Sequence, residues 1–438
     1  MSGRSVEVEH LEPDDAKILA LESESIYGHT TKVVILDPSK SLDGLGIADL
    51  TERVSQRVTR INRLLQRVEI PDDDPSKAFW TTDEHFDITR HVSERSGERL
   101  DGDAFRDAVR DAMQARLDHT LPLWHLELVH LTEQRSAIIA RFHHCMADGV
   151  SSVRILSQLL FDEDRENPAP ETTGKPRPKP AAKPDQVSRR RLARLKALAA
   201  LGRELLPTRR TALDKRISSD RDVAWTETSL SRIKRIGKSA GDHVTVNDVA
   251  LAAVACSLEA WLDGLGSRPK RIKAQVPVSL HHQEPDQEVG NRDSFLFVDL
   301  PLDSTEPVEK LHRINNETEE RKANHDAEAL YDFFHAASRV AHLSEAQTRL
   351  LSGPREFALS ISNVPGPRDE ATVLAHPVSG LVTLAEPADR HALRIAIISM
   401  GDRITFGVCS DPQAVEGIEA IAAGISSSLD RLESEVSR

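Results

Sequence analysis

The stretch SAIIARFHHCMADGVSSVRILSQLL, residues 136–160, decides how the rest of the chain is read. Ser136 to Phe142 is a short, mostly apolar run and predicts a strand. Ser151 to Leu160 carries apolar residues at helical spacing and predicts a helix, with Ser151 or Ser152 as its N-cap. Between them lies His143-His144-Cys145-Met146-Ala147-Asp148-Gly149. A loop held between two rigid elements is a common seat for catalytic groups. Successive strand residues face opposite ways, so one of the two histidines is expected at a cleft and the other in the packed interior. A cleft imidazole suits general-base work because it titrates near neutrality. Asp148 is expected to hold the loop, by pairing with an arginine or by capping backbone amides. Gly149 allows a tight turn or a close approach of substrate. The same residues also fit a purely structural pair of histidines. A metal site from His143, His144, Cys145 and Asp148 is disfavoured, because adjacent ligands diverge and a helical i,i+4 histidine pair is missing. No Gly-x-Ser-x-Gly elbow exists for a serine hydrolase.

Around this stretch, residues up to about Asp164 alternate short apolar strands with amphipathic helices. Asp101 to Leu117 has helical spacing and leads into Pro122-Leu123-Trp124, with Trp124 expected in the core. A second region resumes near Val223. There Thr245 and Asp248 resemble a capping box for a long helix whose apolar face is Val249, Ala252, Ala253, Cys256 and Ala260, with Gly264 as its C-cap. Strands are expected at 272–278, 295–300 and 357–362, and a hairpin at 393–409 around Met400-Gly401-Asp402-Arg403. Strands and helices mix without a regular βαβ rhythm, which predicts an α/β (α+β) fold of layered domains. The expected division is residues 1–165, a Pro-rich and basic crossover at 166–222, and residues 223–438.

The 438 residues are 39% hydrophobic and 29% charged, with a net charge of -13. That excludes collagen-like and wholly disordered chains. No apolar run reaches the roughly 18–20 residues of a spanning helix. Met1 to Asp15 lacks the apolar core of a signal peptide. The three cysteines, Cys145, Cys256 and Cys409, give neither a disulfide framework nor a zinc pattern, and fit a cytoplasmic setting. The acidic total argues against nucleic acid as partner. It conceals an asymmetry: Lys175 to Arg216 holds 14 Lys and Arg against three acids, a net +11, so the remainder carries -24. Leu192 to Leu206 adds an apolar stripe. Residues 189–206 therefore read either as a helix lying on anionic membrane or lipid droplets, or as a solvated crossover packed on acidic domains.

The run His-His-x-x-x-Asp-Gly resembles the signature of the chloramphenicol acetyltransferase-like superfamily. More of the chain is similar to one branch, the bacterial wax ester synthase/acyl-CoA:diacylglycerol acyltransferase family, and above all the actinobacterial triacylglycerol synthases. The motifs that carry this, in family order, are Leu11-Glu12-Pro13-Asp14-Asp15, Pro122-Leu123-Trp124, the histidine motif, Val246-Asn247-Asp248-Val249, Val276-Pro277-Val278-Ser279, Gly290-Asn291 and Ser362-Asn363-Val364-Pro365-Gly366-Pro367. The resemblance implies two chloramphenicol acetyltransferase-like domains with an active-site tunnel at their interface. It implies His144 as the general base toward a hydroxyl attacking an acyl-CoA thioester, with His143 supporting and Asp148 orienting. Asn247 is the first candidate for oxyanion donor, and is also readable as a helix N-terminal cap. Gly149, Ser279, Ser362 and Asn363 are candidate substrate contacts, the last three also readable as strand ends or turn formers.

The implied substrates are long-chain acyl-CoA and diacylglycerol or a long-chain alcohol, with no cofactor and no metal. A condensation-type enzyme using carrier-protein thioesters and a non-catalytic lipid-surface protein are the alternatives. His125, the missing N-terminal aromatic pair and His281-His282 depart from the family pattern and bear on the acceptor.

Overall fold

A computed structural model describes residues 9–39, 44–162, 211–279, 293–303, 306–323 and 357–437. The basic stretch 189–206, Gly290-Asn291 and His281-His282 lie outside these residues.

The first compact unit is built on strand β2 (His29–Leu36), whose sequence HTTKVVIL alternates toward two cores. Its neighbours are β7 (Ser136–His143) and, from far along the chain, β13 (His376–Ala385), both antiparallel. The sheet continues through β6 (Trp124–His130) and β5 (Val92–Glu94) on one side and β12 (Thr372–Val373) on the other. One face, with Val34, Leu36, Ile138 and Phe142, packs against helix α2 (Ile47–Val58) and helix α4 (Gly149–Leu160). The opposite face, with Val33, Ile139 and Val382, packs against α3 (Gly102–Gln114). Burying each such aliphatic side chain contributes roughly 1.5–3 kcal/mol before chain entropy is charged. Three further strands complete this unit: β8 (Asp222–Ser229) pairs with β15 (Arg403–Ser410), which pairs with β14 (Leu393–Met400). In that hairpin Met400 faces Arg403, and Gly401 takes φ +55° in the two-residue turn. A small sheet of β1 (Glu9–His10), β4 (Phe79–Thr82) and β3 (Gln66–Glu69) lies beside α1 (Pro13–Ala20) and its connecting turns.

The second compact unit carries α5 (Leu230–Ala240) from Ile233 onward, α6 (Val246–Gly264) and α7 (Pro307–Ala323). It also holds β9 (Arg271–Ser279), β10 (Asp293–Pro301) and the first part of β11 (Leu359–Val364). β10 runs antiparallel to β9, and β11 pairs parallel to it through Leu359 and Ser360. The last helix, α8, spans Ile418–Val436.

The mixed α/β expectation holds, and three local readings change. The N-cap of α4 is Asp148 rather than Ser151 or Ser152, because its carboxylate reaches the Ser151 amide at 2.6 Å. Helix α6 is buried on nearly all sides, including Ala250, Leu251 and Val254, rather than along one stripe. Its capping box is present, but Gly264 is still helical and the left-handed glycine is Gly266, at φ +71°. In space, Lys215–Arg232 and Asn363–Ser426 group with the N-terminal residues. Pairing of β13 with β2 brings in the Asn363–Ser426 segment, and pairing of β8 with β15 brings in Lys215–Arg232.

Candidate active site

The polypeptide leaves β7 at His143 and enters α4 at Gly149, so the motif fills a five-residue bend. Two backbone bonds fix its entry: the His143 amide donates to Leu123 O at 3.0 Å, and the His144 amide to Gly28 O at 2.7 Å. The two side chains part as strand geometry requires.

His143 is fully buried. Its Nδ1 accepts from the Cys145 amide at 3.2 Å and lies 2.9 Å from Cys145 Sγ. A backbone N–H can only donate, so Nδ1 carries a lone pair and the proton sits on Nε2. Nε2 lies 3.0 Å from Glu22 Oε1, and His119 Nε2 lies 3.2 Å from Glu22 Oε2. The His143–Glu22 pair is close but poorly aligned, so both atoms count as lacking a well-formed hydrogen bond. It is a neutral N–H facing a carboxylate, and it stabilises the charge on Glu22.

The ligand atoms of Glu22, His119 and His143 lie within 4.8 Å of one another, a spacing that invites a metal. A protonated Nε2 offers no lone pair to a cation, so the tautomer set by the Cys145 amide favours a cluster in which both histidines face the Glu22 carboxylate instead. Burial opposes charge on Glu22, but its contacts with the two histidines outweigh that and bring its pKa down to about 2. The contact with Glu22 in turn raises the His119 pKa, against the effect of burial.

A stability prediction follows from the sign of the Glu22 shift. A depressed carboxylate contributes in full above its unfolded value near 4.5, and the contribution is lost as the pH falls toward 2. At most it is worth about 3 kcal/mol. His119 is protonated in both states over that range and does not alter the slope. Urea unfolding between pH 6 and pH 3 should therefore show the parent losing more stability than Glu22→Gln. Parallel curves would contradict the pairing.

His144 is only half-buried, with Nδ1 enclosed and without a hydrogen-bond partner among the described residues. The open edge of the ring is therefore on the Nε2 side. Desolvation, followed by the positive charge of Arg394, pushes its pKa well below the ordinary value, while Asp148 pulls the other way. Solvent at the ring's open edge screens part of that push. The imidazole is thus neutral near pH 7, the form a base requires.

Residues the sequence did not single out complete the surroundings. Lys32, on the α4 side of β2, is buried, with Nζ bonded to Thr383 Oγ1 at 2.8 Å and Thr30 Oγ1 at 3.0 Å. Burial lowers its pKa to about 7, opposed by Asp148. Asp148 itself is buried and caps α4, so of the two roles expected for it the structure displays amide capping. Gly149 is an ordinary first helical residue. A Cβ there would come 2.9 Å from Val364 Cγ2, so the close approach is made by a side chain of the fold. The loop Pro365-Gly366-Pro367 is pressed against β14: a Cβ on Gly366 would stand under 3.0 Å from Ser399 O.

Of the remaining candidates, Asn363 is exposed and groups with the first unit, whereas Asn247, Ser279 and Ser362 group with the second. Asn247 is half-buried at the second position of α6. Its neighbour Asp248 is fully committed to structure. One carboxylate oxygen accepts from the Thr245 amide at 2.8 Å and Asn315 Nδ2 at 3.1 Å, the other from Thr318 Oγ1 at 2.7 Å. Trp124 is buried in the core as expected, its indole donating to Leu64 O at 2.9 Å. The unusual His125 is half-buried, and burial lowers its pKa to about 4.

Residues 11–205 match the model of the wax ester synthase/diacylglycerol acyltransferase catalytic domain, and residues 289–433 that of its C-terminal domain. A protein of Mycobacterium tuberculosis named as a probable diacylglycerol O-acyltransferase is 25% identical over 401 residues, 86% of each chain. The wax ester synthase/diacylglycerol acyltransferase of Marinobacter aquaeolei superposes with a TM-score of 0.73 at 21% identity, covering 98% of this chain and 100% of the other. A trichothecene 15-O-acetyltransferase of Fusarium sporotrichioides shares the fold at a TM-score of 0.67 and 13% identity, covering 98% of this chain and 97% of the other. Together the two family models cover most of the sequence, with the histidine motif inside the catalytic one: the chain is an acyltransferase of the wax ester synthase/diacylglycerol acyltransferase family.

Proposed function

We propose that this protein esterifies diacylglycerol, and long-chain alcohols as secondary acceptors, with acyl groups taken from long-chain acyl-CoA. The observation that carries this reading is the neutral, half-open imidazole of His144, next to a fully buried and tautomer-fixed His143.

His144 Nε2 takes the proton of the acceptor hydroxyl as that oxygen attacks the thioester carbonyl. The tetrahedral intermediate collapses with cleavage of the C–S bond, and the imidazolium returns its proton to the CoA thiolate. Base and acid are the same group, so the cycle closes without a covalent acyl-enzyme and without a cofactor. Developing charge on the carbonyl oxygen needs a donor, typically worth several kcal/mol of barrier. The Asn247 amide is our candidate. Asp148 orients the motif through its cap, and His143 supports it from behind. Gly149, Ser279, Ser362 and Asn363 are proposed substrate contacts. Residues 1–165, 166–222 and 223–438 are proposed as the sequence modules of this machinery.

The test is product analysis by mass spectrometry from a pool of acyl-CoAs with diacylglycerol and fatty alcohols. Triacylglycerol as the major ester supports the reading. No ester with any acceptor, or transfer only from carrier-protein thioesters, would reject it.

The lowered His144 pKa fixes the acid limb of the pH profile. Since the base is neutral well below pH 6.5, kcat/KM for acyl transfer should stay flat from pH 7.5 down to about pH 5.5. A limb centred at 6.5 would contradict the environment described for the ring.

No helix among the described residues is long and apolar enough to cross a membrane. For water-insoluble acceptors we propose peripheral attachment, from the cytoplasmic side, to anionic membrane or lipid droplets through the basic stretch 189–206. Charge-neutral replacement of Arg189, Arg190, Arg191 and Arg194 should abolish binding to phosphatidylserine-containing liposomes at low salt. Unchanged binding would refute this attachment.

A further inference from the structure

Both histidines of the motif rest on one piece of backbone, the Tyr27–Gly28 segment before β2. Gly28 O accepts the His144 amide at 2.7 Å. The Gly28 Cα lies against the His143 ring so closely that an added Cβ would stand under 3.0 Å from Nε2 and Cε1. This segment lies outside the strand ladder, and its own amides need a partner. That partner is Glu386, just past the end of β13. Its carboxylate accepts from the Tyr27 amide at 2.9 Å and the Gly28 amide at 2.9 Å.

Glu386 is buried, and burial raises its pKa. The opposing charge is Arg221, itself fully buried, with Nη2 at 2.7 Å from Glu386 Oε1. Arg221 is held in turn. Nη1 donates to Ser218 O and Asp220 O, both at 2.8 Å, and Nη2 also donates to Ser25 O. The Tyr27 hydroxyl donates to Ser219 O at 3.4 Å, and the Arg221 guanidinium lies 5.5 Å from the Tyr27 ring. A chain of contacts therefore runs from Ser218–Arg221 through Glu386 to Gly28 and the His144 backbone. All of it lies within the first compact unit.

From this geometry we infer that Glu386, locked by Arg221, is a positioning residue for acyl transfer: it sets the height and tilt of the Tyr27–Gly28 backbone on which His143 and His144 sit. The inference rests on the reading of His144 as the base. Glu386 touches no reacting atom. Its effect passes through two amides and one carbonyl, and a displacement of about 1 Å at a base can cost 10²-fold in rate. A buried ion pair of this kind adds little net stability compared with an apolar pair of similar volume, but it specifies one arrangement of the groups it bonds.

The experiment uses the full chain with palmitoyl-CoA and dioleoylglycerol. It compares the parent with Glu386→Gln, Arg221→Met, the double variant, the milder Arg221→Lys, and His144→Ala. Near-UV circular dichroism gives the folded fraction, and kcat is expressed per folded molecule. Glu386→Gln should lower kcat about 10- to 100-fold while both KM values stay within about threefold. The double variant should lose no more than the worse single variant, because the two residues act as one device. Arg221→Lys keeps a cation against Glu386 and should retain more kcat than Arg221→Met, which decides the matter even where Glu386→Gln is poorly folded. A folded Glu386→Gln with parental kcat, a loss confined to KM, or equal losses in Arg221→Lys and Arg221→Met would overturn the inference. Full activity in His144→Ala would instead overturn the base reading, whatever Glu386 does.

Discussion

His144→Ala is expected to lower kcat for ester formation by about 10²–10⁴-fold, the usual range for removing a positioned general base, while leaving the fold intact. The imidazole donates and accepts no side-chain hydrogen bond among the described residues, and its Nδ1 is enclosed without a partner. Its backbone bond to Gly28 O does not depend on the side chain. Alanine therefore removes a group the fold does not lean on. The pH dependence of stability gives an independent check. A histidine whose pKa is lowered on folding binds protons more readily when unfolded, so it weakens the parent as the pH drops below 6.5. His144→Ala lacks that penalty and should lose less stability than the parent between pH 6.5 and pH 5. A variant with near-parental kcat would remove His144 from the chemistry.

Gly28→Ala should damage both stability and rate, and it carries the second-largest effect. Gly28 has φ +69°, a conformation that costs an L-residue roughly 1–2 kcal/mol. The added methyl would also meet the His143 ring at under 3.0 Å. That ring is fully buried and held by Glu22 and the Cys145 amide, so it has nowhere to go. Strain and overpacking together predict a loss of about 2–4 kcal/mol. The shift also carries Gly28 O away from the His144 amide, and kcat per folded molecule should fall about 10²-fold. Urea unfolding and kcat measured on one preparation test both halves. Parental values in both would mean that the segment is softer than its contacts indicate.

How much of this was legible in the sequence depends on how far along the chain the causes lie. The strand, motif and helix around residues 136–160 are set by local pattern, and they appear within a few residues of where the pattern puts them. The Thr245–Asp248 box was equally local. The N-cap of α4 shifted because any of three polar residues satisfies the composition rule, and only geometry shows that Asp148 reaches the Ser151 amide. Helix α6 hid its full burial because alanine, its commonest residue, is equally at home on an exposed or a covered face.

What stayed out of reach is non-local. Nothing in HPVSGLVTLA says that it pairs with β2, about 350 residues earlier, and Glu386 and Arg221 acquire their role only through that pairing. Glu22 and His119 are unremarkable until folding brings both to His143. Lys32 was the exception that could have been found. A lysine standing on the same side of β2 as Val34 and Leu36, in a strand otherwise patterned for burial, is a signal of a polar site.

Acyl transfer from a CoA thioester to a free hydroxyl, with His144 as base, is the central proposal. Its most direct test is to follow palmitoyl-CoA and dioleoylglycerol together, counting free CoA and triacylglycerol formed by the parent and by His144→Ala. One triacylglycerol is expected for each CoA released by the parent, and both products are expected to be lost together in the variant. CoA released without ester, or triacylglycerol made at the parental rate by His144→Ala, would contradict it.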